Sequence, residues 1–216
     1  MSEFDRGTAQ FRKDTERLVI RDRFTDEEKK ILLEDSAEIY LPTGLTILAQ
    51  IDAQRVKGKP SFWRLIDGGN KLVNAHSRKI EVAIYPDPNK FFVPDSFSKN
   101  LKTQEEKIAK DAQTLRDRLK LQGVTEIIPD RASTLTEVVF QHLDKTGVWL
   151  LGGDYAAVHG LDFVNARTKN STRFITDVAH VGIAHPDGGL YVSDMRVNRG
   201  FYTVGVARMV VPIKTK

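Results

Sequence analysis

From Leu161 to Ile213 the chain is a succession of short β-type runs separated by Gly, Asn and Pro, whereas most of the sequence before Val148 carries helical spacing. Helices first and strands last, with turn-linked strand candidates, predict an α+β fold: amphipathic helices from the first half packed on a mostly antiparallel C-terminal sheet. The strand candidates are Val148–Leu151, Leu161–Arg167, Phe174–Ala184, Gly189–Val197 and Tyr202–Ile213. His185-Pro186-Asp187-Gly188-Gly189 is turn chemistry and should join two of them as a hairpin. In the last run only Arg208 is polar between Val204 and Val211, so that run belongs in a sheet covered on both faces. A lone charge there needs a partner, and Asp177 or Asp194 on neighbouring strands is the expected one.

The helical half has its own punctuation. Thr25 and Glu28 have capping-box spacing and predict a helix from Asp26 to about Tyr40, stopped by Pro42. Thr43–Val56 is a second helix candidate, and Ser61–Ile66 and Lys79–Tyr85 are strand candidates, the first closed by Asp67-Gly68-Gly69. Leu101, Ile108, Ala112, Leu115 and Leu119 recur at three- and four-residue steps, so Leu101–Gln122 is an amphipathic helix, with Gly123 as its stop. Thr134 and Glu137 repeat the capping-box spacing and predict a helix to about Lys145, ended by Gly147. At 216 residues this reads as one α+β domain over 25–216, helix-rich over 25–147 and β-rich over 148–213, preceded by a flexible or loosely packed segment 1–24.

Composition excludes some classes. No apolar run approaches the roughly 20 residues needed to span a bilayer, so a membrane role is not expected. Met1–Arg23 mixes acids and bases without an apolar core and does not read as a secretory signal. There is no cysteine, which removes disulfides, thiolate metal sites and cysteine nucleophiles, and fits a cytoplasmic protein. The glycine pairs at 68–69, 152–153 and 188–189 lack both the Walker ending and the strand-to-helix setting of a dinucleotide loop, so they read as turns and no cofactor is implied.

Charge is uneven along the chain. Between Arg55 and Lys79, seven bases (Arg55, Lys57, Lys59, Arg64, Lys71, Arg78, Lys79) stand against one acid, Asp67, so this segment carries +6 where the whole chain carries +4. Phe62 and Trp63 interleave with them. Bases beside aromatic faces suit a phosphate backbone with stacking bases, which makes Arg55, Lys57, Lys59, Trp63, Arg64, Arg78 and Lys79 a candidate anion or nucleic-acid surface; a solvated basic face is the plainer alternative. Of the five histidines, His180 and His185 fall on opposite faces of one strand candidate, which argues against a shared metal. An enzyme would need His180, His185 and acids to converge, and no nucleophile-elbow pattern supports one.

The order of elements after the capped helix is more suggestive. Val148-Trp149-Leu150-Leu151-Gly152-Gly153-Asp154-Tyr155, then Asn165-Ala166-Arg167-Thr168, then a final Arg199–Val211 strand resembles the C-type-lectin-like fold of formylglycine-generating-enzyme relatives and retroelement-diversified binding proteins, over at most the last 80 residues. The resemblance implies that loops before the last strand form a ligand surface and would put Arg196, Asn198, Arg199 and Tyr202 on it. The chain lacks the calcium triplet and disulfides of sugar-binding lectins and the cysteines of the formylglycine enzymes. The expected function is therefore a non-catalytic binding protein for a protein or other macromolecular ligand. Its surface is built from Asp154, Tyr155, His159, Arg196, Asn198, Arg199 and Tyr202, where Gly and Asn stand beside Arg and Tyr.

Overall fold

A computed structural model describes residues 19–65, 70–161, 163–171, 177–185, 189–196 and 198–215. Most of the segment 1–24, the Asp67-Gly68-Gly69 turn, the start of the 174–184 strand candidate and the tip of the 185–189 turn lie outside the described residues.

The architecture is α+β, with two sheets and a helix between them. An antiparallel sheet of β1 (Glu38–Tyr40), β3 (Val82–Ile84), β9 (Met209–Pro212) and β4 (Val124–Ile127) has the order β1-β3-β9-β4. A mixed sheet of β2 (Phe62–Leu65), β7 (Gly189–Arg196), β6 (Asp177–His185), β5 (Asn165–Ser171) and β8 (Val204–Gly205) has the order β2-β7-β6-β5-β8, with parallel pairs at both edges. Helices α1 (Asp26–Glu34) and α5 (Leu101–Leu119) cover one face of the antiparallel sheet through Leu32 and Leu115 against Ala83 and Val210. Its other face, Val82, Ile84, Met209 and Val211, packs on α6 (Ala132–Thr146), and the far side of α6 meets Ala166, Ala179, Val181, Leu190 and Val192 of the mixed sheet. α6 is thus buried on nearly every side, and its run of apolar and small residues from Ala132 to Phe140 fits that position. Shorter helices α2 (Ile47–Val56), α3 (Asn70–Val73), α4 (Pro88–Phe91) and α7 (Gly153–Ala157) complete the chain order.

Local chemistry explains most of the boundaries. Thr25 and Glu28 form the full capping box of α1, but that helix stops at Glu34. Ser36 takes φ 71°, and the Ala37 and Ser36 amides donate to the Leu32 and Leu33 carbonyls, a Schellman ending that frees residues 38–40 to become β1. α5 buries Ile108, Ala112 and Leu115 as its spacing predicts, yet Lys120 at φ 57° ends it and Gly123 does not. Thr134 and Glu137 do not cap a helix. α6 starts at Ala132, and the Thr134 hydroxyl accepts from the Arg78 amide while the Glu137 carboxylate accepts from the Thr43 amide (2.6 Å) and from the hydroxyls of Thr43 (2.7 Å) and Ser77 (2.5 Å). Gly147, at φ 75°, closes α6 as expected.

Two strand expectations fail. Val148–Leu151 forms no strand: Leu150 and Leu151 plug the core as the chain turns into α7. The run Tyr202–Ile213 is not one strand but two, β8 beside β5 in the mixed sheet and β9 between β3 and β4 in the antiparallel one. The 185–189 hairpin is present, with β6 and β7 antiparallel and His185 opposite Gly189. Among the described residues no helix is long and apolar enough to cross a membrane.

Candidate anion site on the mixed sheet

The face of the mixed sheet turned away from α6 is polar. β5 alternates Ala166 toward the core with Asn165 and Arg167 on the opposite face, and the register sets Arg167 directly across from His180 and Asn165 across from Gly182. On β7, Ser193 and Tyr191 stand opposite His180 and Gly182. The Tyr191 hydroxyl donates to Oδ1 of Asn165, whose Nδ2 donates to the Thr203 hydroxyl at 3.2 Å. The Tyr191 ring meets the His180 ring edge to face at 6.0 Å.

Two loops roof this face. The Ser98 amide donates to the Phe201 carbonyl at 3.2 Å, and Gly200 packs so closely that a Cβ there would sit 2.2 Å from the Ser98 carbonyl oxygen. The roof takes Asp95 at φ 53° and Ser98 at φ 59°, left-handed backbone that non-glycine residues adopt at a cost and that clusters at ligand clamps.

Beneath the roof, Arg167 is 0% exposed. Its Nη2 donates to the carbonyls of Lys99 (3.1 Å) and Arg199 (3.3 Å), while Nε and Nη1 have no hydrogen-bond partner among the described residues. No carboxylate pairs with it among the described residues, and burial alone lowers its pKa from 12.5 to about 10. His180 is 8% exposed, and its Nδ1 also lacks a partner among the described residues. Burial first, and the Arg167 charge second, lower the His180 pKa to about 4, so its imidazole is neutral at pH 7.

The sequence-derived ligand residues divide around this site. Asn198, Arg199 and Tyr202 are exposed on the roof, with Phe201 and, beside the start of β5, Phe163. His159 is exposed at the end of α7 and stacks on Phe97 at 4.5 Å, one residue before Ser98, so it borders the same roof. Asp154 is exposed on α7. Tyr155, expected on the surface, is a core residue at 3% exposure whose hydroxyl donates to the Pro86 carbonyl at 2.5 Å. The side chain of Arg196 lies outside the described residues.

The described bases of the basic segment lie at both ends of α6. Lys57 and Lys59 both bind Asp144 near the C-terminal end of α6, whereas Arg78 binds Asp130 just before its N-terminal end at 2.5 Å, about 20 Å away along a 15-residue helix. Arg55 lies 3.6 Å from Asp52, and Lys79 is exposed beside Gly44. Among the described residues, Arg55, Lys57, Lys59 and Arg78 are thus each within 4.0 Å of an acid, three acids in all. The side chains of Trp63, Arg64 and Lys71 lie outside the described residues.

A second buried charge cluster lies under α5. Nε of Arg208 is 2.7 Å from Oδ2 of Asp111, its Nη2 donates to Oδ1 at 2.9 Å, and Oε1 of Glu126 is 3.9 Å from Nε. Arg208 points to the side of Val210, as strand alternation predicts, but its partners come from α5 and β4 instead of Asp177 or Asp194, because the last run has left the mixed sheet by this point. Among the described residues no group of three or more acids and histidines could hold a metal ion. Compared with known protein families, curated proteins and solved structures, the chain matches none.

Sequence reasoning missed Arg167. Its strand has Ala166 as its one apolar residue, so nothing in the local pattern marks Arg167 as buried, and the roof that buries it comes from residues about 30 and 70 positions away in sequence. The one local signal was an arginine between Ala166 and Thr168 with no acid within four residues of it in sequence.

Proposed function

We propose that the protein is a non-catalytic binding protein whose ligand places an anionic group on Arg167. The observation that carries this reading is a fully buried guanidinium with two unpartnered nitrogens and no carboxylate among the described residues. A buried charge without a counter-charge is costly, and a protein that keeps one gains if an anion supplies the missing partner. Arg199, Asn198, Tyr202, Phe201, Phe163 and His159 on and around the roof would contact the rest of the ligand, since rigid aromatics and arginine dominate contact energies. This keeps the idea, implied by the C-type-lectin resemblance, that loops before the final strand carry the ligand.

Arg167→Met separates a ligand role from a structural one. Burial, which lowers the Arg167 pKa to about 10, costs its charge roughly 3 kcal/mol, while its two carbonyl bonds return about 1 kcal/mol or more each. Without an anion, the variant should therefore melt within about 1 kcal/mol of wild type or above it. In calorimetric titration with inorganic phosphate, wild type should bind and Arg167→Met should not. A variant several kcal/mol less stable, from a wild type that binds no phosphate, would show that Arg167 only ties the roof to the sheet.

A further inference from the structure

We propose that the ligand is a doubly charged oxyanion of the sulfate or phosphate-monoester type, and that His180 takes up a proton when it binds. This rests on the anion-binding reading above. Arg167 and His180 are directly opposed on adjacent antiparallel strands, so their side chains emerge on one face about 5 Å apart at the backbone. Both are buried, and both offer nitrogens without a partner among the described residues: Nε and Nη1 on the arginine, Nδ1 on the histidine.

With His180 neutral this pair of side chains carries one positive charge; with His180 protonated it carries two. A dianion is matched only in the second state, whereas a carboxylate would leave one buried charge unanswered. The groups around His180 make the proton's arrival depend on the ligand. From β5 it faces the Arg167 charge and the Asn165 amide, and from β7 the Tyr191 ring and Ser193. The roof presents the carbonyls of Lys99 and Arg199, both engaged by Arg167. Lys169, further along β5, is held by Glu105 at 2.6 Å. Among the described residues no acid pairs with His180, so burial and Arg167 both act against the imidazolium. A bound dianion reverses both effects: it screens Arg167 and accepts a hydrogen bond from the charged ring.

The test uses sulfate, whose charge is constant from pH 5 to 8, so any pH dependence belongs to the protein. Calorimetric titrations at fixed ionic strength should show affinity rising as pH falls, by up to about tenfold per pH unit, the limit for one proton taken up. Repeating them in buffers of different ionisation enthalpy should report proton uptake directly on the wild-type chain. His180→Gln, checked for folding by circular dichroism, should bind sulfate with a flat pH profile and no uptake, and acetate should bind wild type at least tenfold more weakly than sulfate. Sulfate binding without proton uptake, or uptake that survives in His180→Gln, would overturn the coupling and leave the anion reading intact. Acetate binding as tightly as sulfate would overturn the dianion assignment. Failure of wild type to bind sulfate at any pH would remove the anion reading itself.

Discussion

The buried Glu126 carboxyl faces Asp111, and one guanidinium, Arg208, serves both acids. Burial, and then the Asp111 charge, push it up from 4.5 to about 8. The folded pKa is above the unfolded one, so this group's contribution to stability is full below about pH 4.5 and is lost as pH rises toward 8. Glu126→Gln, which mimics the protonated acid, should flatten that part of the urea-melting pH profile and raise stability at pH 8; a profile as steep as wild type would mean that Glu126 is not the group concerned. Arg208→Met should cost about 1 to 3 kcal/mol at pH 7, because it leaves the half-buried Asp111 carboxylate without its partner. The lone charge at Arg208 was legible in the apolar run around it. Its partner was legible in principle, since Asp111 falls on the Gln104, Ile108, Leu115 stripe of α5, but the expected sheet order turned the search toward β6 and β7. His180 acts in the opposite sense. Its folded pKa of about 4 is below the ordinary 6.5, so its contribution is full above about pH 6.5 and lost as pH falls through 4.

At the scale of elements, periodicity was a good guide to what a segment is and a poor one to where it goes. The stripe of α5, the capping box of α1 and the Gly147 stop of α6 are all local, and all appear in the structure. The Thr134–Glu137 spacing misled because the same hydroxyl and carboxylate serve tertiary partners at Arg78, Thr43 and Ser77, which no local rule anticipates. The final apolar run misled for a related reason: being apolar on both faces says that a strand is covered, not which sheet covers it. The roof over Arg167 gives a prediction at this scale. Gly200→Ala would drive a Cβ to 2.2 Å from the Ser98 carbonyl, backbone against backbone, so the two loops must part at a cost of about 1 to 3 kcal/mol. On the same loop, Arg199→Ala and Tyr202→Ala should change stability by no more than about 0.5 kcal/mol, because both side chains are exposed and Arg199 serves Arg167 through its carbonyl. Urea melts of the three variants check the contrast. If Gly200→Ala melts like wild type, the roof is not closed as described, and Arg167 is more open to solvent than its burial indicates.

The whole molecule is tied together by two exchanges between its halves. β2, from the helix-rich half, lies at the edge of the mixed sheet beside β7, and β9, from the β-rich half, is the inner strand between β3 and β4 of the antiparallel sheet. α6 then lies between the sheets, with Val138, Val139 and Phe140 in the same core as Val82 and Met209 on one side and Val181 and Val192 on the other. Neither 19–147 nor 148–216 can close a core alone. Without β9, β3 and β4 have no partner between them; without α6, the apolar face of the mixed sheet is bare. The chain should therefore unfold as one cooperative unit, with urea transitions followed by tryptophan fluorescence and by far-ultraviolet circular dichroism coinciding. The two fragments expressed separately should show neither the dispersed amide spectrum nor the cooperative melt of a folded protein. A folded 148–216 fragment would show that the β-rich part is a domain in its own right. In that case the ligand surface around Arg199 and Tyr202 could be studied apart from the helical half, although Arg167 would lose the Lys99 carbonyl that helps hold it in place.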